Sequence, residues 1–103
     1  MKRRFLIATQ GMTLEQQAKV TNRVRDRGFG WWHWIDEFWL LTTSSTDVTA
    51  VSLRDELTAI APATRTLVME IPEDISWAGR DGIGQKNEIF DWLKATWVDK
   101  KPQ

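Results

Sequence analysis

The chain of 103 residues holds no cysteine and balances 14 basic residues against 14 acidic ones. Its length sets one domain with one core, since a globule this small buries only about two-thirds of the surface its unfolded chain exposes. The missing thiol excludes disulfides, cysteine nucleophiles and sulfur-ligated zinc, as suits a reducing cytoplasm, and the zero net charge excludes a whole-molecule field toward nucleic acid or anionic membrane.

The start, Met1-Lys2-Arg3-Arg4, is basic, but the apolar run behind it ends at Ala8. That is too short for a signal-peptide core or a membrane span, and Phe5 to Thr9 reads as a buried central strand stopped by Gln10-Gly11. Thr13-Leu14-Glu15-Gln16 has the form of a capping box, so a helix is expected over about 14–27. Leu14, Ala18, Thr21 and Val24 make its weakly apolar stripe, and Gly28 supplies a left-handed stop.

Next comes "GWWHWIDEFWLL", residues 30–41, with four of the chain's seven tryptophans. A turn at Asp36-Glu37 makes 30–35 and 38–43 the arms of a hairpin, with Ile35 opposite Phe38 and Trp34 opposite Trp39. Glu37 is not the glycine such a turn prefers, so the hairpin is better specified than its register. The cluster Ser44-Ser45-Thr46-Asp47 offers N-caps for a helix whose face is Ala50, Leu53, Leu57 and Ile60, closed by Pro62. Thr66 to Ile71 then alternates as a strand, with Leu67, Met69 and Ile71 on one side and Thr66, Val68 and Glu70 on the other. A loop and a last amphipathic helix follow, with Ile89, Trp92, Leu93, Thr96 and Trp97 on one face.

Strand-helix-strand-strand-helix-strand is the split βαβ order of ferredoxin-like α+β folds. It implies a four-stranded antiparallel sheet in the order 4-1-3-2 with two helices on one face. The domain would span 1–103, with its core over about 3–72 and the C-terminal loop and helix over 73–98. Strict alternation puts Trp32, Trp34, Trp39 and Leu41 on one side of the hairpin and Trp31, Ile35, Phe38 and Leu40 on the other. Both sides are apolar, and the side away from the helices would match or exceed the ~300–600 Å² patch usual on a monomer. Its cover would be the last helix with Trp92 and Trp97, a second copy meeting the edge strand, or a flat-ringed ligand such as a nucleobase.

The run Trp31-Trp32-His33-Trp34-Ile35-Asp36, then Phe38-Trp39-Leu40-Leu41, Leu67-Val68-Met69-Glu70-Ile71, Ser76-Trp77-Ala78-Gly79 and Asp91-Trp92-Leu93, resembles small uncharacterised bacterial proteins of the SinR family. The resemblance covers most of residues 3–97. It implies a fold similar to the small dimeric subunit of the CRISPR spacer-integration complex and to virulence-associated protein D, some of whose members are metal-dependent nucleases. Such nucleases place an aspartate near the end of the first strand. Ile7-Ala8-Thr9-Gln10-Gly11 has none, which argues against that activity here.

Other chemical signals are sparse. His33, the lone histidine, reads as packed or interfacial, and one His with no Cys assembles no metal set. Gly79-Arg80-Asp81-Gly82-Ile83-Gly84-Gln85-Lys86 lacks the Ser/Thr and the preceding strand of a phosphate loop, although Arg80, Gly82, Gly84 and Lys86 would suit an anion. The groups Lys2-Arg3-Arg4 and Arg23/Arg25/Arg27 read as solvated surface. The expected function is a non-enzymatic, self-associating binding or regulatory protein without cofactor, making its homodimer or partner contact through Trp31, Trp32, His33, Trp34 and Trp39. The alternative is a nuclease-related or nucleic-acid-binding protein that stacks bases on Trp31, His33 and Trp34, which the neutral charge disfavours.

Overall fold

A computed structural model describes residues 2–80 and 90–97. Its elements are β1 (Arg3–Gln10), α1 (Leu14–Asp26), β2 (Gly30–Ile35), β3 (Phe38–Thr43), α2 (Ala50–Ile60) and β4 (Arg65–Ile71), followed by a short π-helix, Leu93–Trp97. The strands form one antiparallel sheet in the order β2-β3-β1-β4, the predicted order read from the opposite edge. No described helix is long and apolar enough to cross a membrane.

Local sequence fixes the helix ends. Thr13 Oγ1 accepts from the Gln16 amide at 3.1 Å while Gln16 Oε1 accepts from the Thr13 amide at 2.9 Å, completing the expected capping box. At the other end of α1, Gly28 takes φ 75°, its amide donates to the Arg25 carbonyl at 2.9 Å, and Phe29 donates to Val24 at 3.1 Å. Only a residue tolerant of positive φ closes a helix this way. The cap of α2 corrects the sequence reading: it is Thr49, reciprocated by Ser52, rather than a member of the 44–47 cluster. Within that cluster Ser45 and Asp47 make local turns instead, with amides donating to Thr43 Oγ1 and Ser45 Oγ.

The helices cover one sheet face. Phe5, Ile7, Trp39 and Leu41 of the central strands bury against Val20 and Val24 of α1 and Leu53 and Leu57 of α2. The buried stripe of α1 is Gln17, Val20 and Val24, so the predicted stripe was rotated and Leu14 stands exposed off the core. Thr21 lies close enough to take the Trp39 indole N–H at 3.2 Å. Glu56 of α2 joins the helix layer, accepting from Arg23 Nε at 3.0 Å and from Arg27. Burial pushes the Glu56 carboxyl up, but the hydrogen bonds from Arg27 and Arg23 outweigh it and hold the group below its ordinary value.

Four of the basic side chains read as solvated surface therefore have structural partners. Arg23 and Arg27 are two such groups. Arg4 is buried, and its Nε donates to the Trp97 carbonyl. Arg3 also forks onto Glu70, with distances of 3.0 and 3.1 Å.

The hairpin departs most from simple alternation. Ile35 faces Phe38 as expected, but Trp32 faces Leu40, so His33 and Trp34 together oppose Trp39. One extra residue in β2 is a β-bulge, and it flips every residue on its far side to the opposite face. The observed sets are Trp31, Trp39 and Leu41 toward the helices, and Trp32, Ile35, Phe38 and Leu40 away from them. Trp31 and Trp32 are exchanged relative to the alternating reading.

Candidate functional site

The five hairpin residues expected to make a contact surface do not form one. Trp39 is 0% exposed in the helix-side core, Trp32 is buried on the opposite face, and Trp31 packs half-buried against the helix-side core. His33 lies flat on Trp39, with ring centroids 4.3 Å apart and planes within 8°, and its Nδ1 donates to the Phe38 carbonyl at 2.9 Å. That carbonyl contact and the stack pin the bulge. Trp34, 65% exposed, is the one wide-open ring of the group. Trp31, His33 and Trp34 therefore present no shared stacking platform.

The turn that aligns the hairpin is tied to the first strand. Glu37 adopts φ 57°, a conformation costly for a residue with a Cβ. Its carboxylate compensates by accepting from the Met12 amide at 2.7 Å and from Thr9 Oγ1 at 3.2 Å, and its carbonyl accepts from the Thr9 amide at 2.9 Å. The Met12 amide, helped by Gly11 and Thr9, holds the Glu37 carboxyl below its ordinary value. A carboxylate thus stands beside the end of β1, supplied from the hairpin rather than by the strand. It is occupied in fastening the turn, and no three His, Cys, Asp or Glu side chains gather as a metal set among the described residues.

The sheet face away from the helices carries the most unusual surface. Its side chains fall into three rows across the strands. Ile71, Arg4, Thr42 and Gly30 form one end row, Met69, Leu6, Leu40 and Trp32 the middle, and Leu67, Ala8, Phe38 and Ile35 the other end. The C-terminal segment covers the first row and the Trp32 end of the second. There Phe90, Leu93 and Trp97 bury against Trp32, and Trp92 packs alongside. Gly30 makes room for its neighbour on β3, because an added Cβ would lie 2.3 Å from Thr42 Oγ1, while the Trp92 ring at 3.5 Å would be in ordinary contact. Arg4 fastens the π-helix by donating to Trp97, whose carbonyl lies at the negative end of that turn.

The third row remains open. Ile35 is 55% exposed, Leu67 54% and Met69, next to it on β4, 47%. The alternation of β4 was legible, but its richer apolar side, Leu67-Met69-Ile71, faces away from the helices, and Val68 alone reaches their core.

Between the open row and the C-terminal cover lies a cavity of about 440 Å³. Leu6, Phe38 and Leu40 of the sheet line it, with Trp32, Phe90 and Trp97 at the covered end. The segment 75–80 completes it through Ile75, Trp77 and Arg80. Gly79 lets that segment close down on Phe90, since a Cβ there would come within 2.5 Å of the ring. Sequence reading missed Phe90, Ile75 and Gly79 as lining groups; the apolar stretch Ile75-Ser76-Trp77 inside an otherwise polar loop was the available signal. Of the expected anion group, Arg80 is placed at this cavity, whereas Gly82, Gly84 and Lys86 lie outside the described residues, as does Ile89 of the last helix.

Compared with known proteins, the chain matches no family model, no curated protein and no solved structure.

Proposed function

We propose that the chain is a non-enzymatic binding or regulatory protein of the ferredoxin-like type, akin to the SinR family, that self-associates through the open half of its sheet. The supporting observation is the row Leu67-Ala8-Phe38-Ile35 with Met69 beside it, an apolar strip reaching from one sheet edge to the other. With Ile75 and Trp77, each 37% exposed, it offers on the order of 500 Å² of apolar surface, near the upper limit for the largest patch on a monomer. Two such strips in a two-fold contact bury about 1,000 Å², where specific interfaces begin. The contact thus moves from the indoles of the hairpin, largely consumed by the monomer, to the strip that the hairpin tip shares with β4.

Sedimentation equilibrium tests the proposal. The wild-type chain is expected as a dimer in the micromolar range. Leu67→Lys combined with Met69→Lys places two charges on the strip and is expected to give a monomer that melts as the wild-type chain does when diluted to its own monomer, because both side chains are half-exposed before association and only the stabilisation from dimerisation is lost. A wild-type monomer at hundreds of micromolar would overturn the reading, as would a dimer indifferent to both lysines.

A further inference from the structure

The cavity beside the open strip is lined by one chain; it shares Ile35, Phe38, Ile75 and Trp77 with that strip but not Leu67 or Met69, the two positions that test association. We propose that it is a ligand site for a flat aromatic carboxylate, with the ring body inside and the carboxylate at Arg80. Three observations lead there. First, about 440 Å³ lies within the range of small-molecule sites, and the lining is apolar apart from Arg80. Second, rings form its covered end. Trp32 stacks on Phe90 with centroids 6.1 Å apart and planes 24° from parallel, and Trp77 leans on the same Phe90 at 6.1 Å. A planar body can extend such a stack, whereas an alkyl chain gains only area. Third, Arg80 has neither hydrogen bond nor ion pair among the described residues and is exposed where it meets the cavity. An arginine lining an otherwise apolar space favours a planar anion, which its guanidinium can hold through two parallel hydrogen bonds. Leu93 and Trp97 reach the cavity from a π-helix, a rare winding that recurs where helices serve ligands.

The probe pair is 2-naphthoate and its neutral counterpart 2-naphthamide, followed by calorimetry and by indole fluorescence. Naphthoate is expected to saturate at one per chain and quench the emission, with the amide about tenfold weaker, as befits the loss of one exposed charge-assisted contact. Arg80→Gln, a change at an exposed position, is expected to bring naphthoate down to the level of the amide and leave the amide unaltered. Leu6→Phe, which fills the sheet side of the cavity, is expected to abolish both. Because one chain lines the site, binding is expected to persist in the Leu67→Lys/Met69→Lys protein, so failure of the dimer and failure of the site are distinguishable. The assignment is overturned if naphthoate does not saturate, if acid and amide bind alike, if Arg80→Gln weakens both equally, or if palmitate saturates where naphthoate does not.

Discussion

The two faces of the sheet use similar side chains and reach opposite outcomes. Toward the helices, Trp39, Phe5, Ile7 and Leu41 are sealed by two capped helices that are themselves joined through Glu56. Away from them, Trp32 and Leu40 meet a short C-terminal segment that covers one end and leaves Leu67, Met69 and Ile35 open. Hydrophobic content does not separate the faces. Among the described residues, what separates them is the covering chain: two capped helices on one side, the segments 75–80 and 90–97 on the other.

Truncating one tryptophan on each face tests that contrast most strongly. Trp39→Ala is expected to cost about 3–5 kcal/mol, since it empties the centre of the core and leaves His33 without its stacking partner. Urea denaturation should show a lower midpoint with an unchanged slope, because the whole domain unfolds together. Trp97→Ala removes a ring of similar burial from a cover that the helix-side core does not need. It should cost less, about 1–2 kcal/mol, and reduce the slope as the C-terminal segment detaches in advance. Equal costs with equal slopes would mean that the two faces fold as one unit.

Arg4→Met isolates the fastening of that segment. The buried guanidinium reaches the Trp97 carbonyl, and its replacement by an apolar chain of similar length should cost roughly 2 kcal/mol, the range for hydrogen bonds to charged groups. Hydrogen exchange is the appropriate measurement. Amides of 93–97 should lose protection while those of β1 and β3 keep theirs, and uniform loss would refute a local anchor.

Acid should act on the opposite side of the sheet. The Met12 amide depresses the Glu37 carboxyl, Arg3 depresses Glu70, and the arginines opposing Glu56 outweigh its burial, each relative to an ordinary value of 4.5. A carboxyl held low in the folded chain contributes stability that is complete above that value and disappears as the pH falls through its lower folded one. Melting temperature should therefore be flat near neutrality and fall below about pH 4.5. Glu56→Gln should lower it by about 1 kcal/mol equivalent at pH 7 and make the acid slope shallower. Glu37→Gln should also flatten the slope, because the turn no longer depends on a carboxylate to hold the Met12 amide.

Much of this architecture was written locally. Thr13-x-x-Gln16 and Gly28 mark the ends of α1, and the hairpin arms and the alternation of β4 follow from residue type alone. The face assignment did not follow, because a single bulged residue, held by the His33 contacts with Trp39 and the Phe38 carbonyl, inverts Trp31 and Trp32. Nor did the burial of Arg4, which depends on a partner 93 positions away in the chain. The cavity was illegible for the same reason: it joins β1, the hairpin, the 75–80 segment and the C-terminal turn, which no local pattern brings together.

The smallest effect is expected where the sequence raised the greatest expectation. Trp34 shares the bulge with His33, but it is 65% exposed and belongs to neither buried cluster. Trp34→Ala removes little buried area and should change stability by no more than about 0.5 kcal/mol, the usual range for a surface position. The same change should remove the most solvent-relaxed part of the fluorescence, since the indole most open to water is lost while Trp39 and Trp97 keep their dry surroundings. Pairing it with Trp39→Ala sharpens the comparison between faces, because the bulge sets two neighbouring β2 side chains against one β3 tryptophan. One of them, His33, is held flat on that ring, and the other is left over. A loss from Trp34→Ala comparable with that from Trp39→Ala would show that the bulge packs both, and that the hairpin is sealed more completely than its exposure indicates.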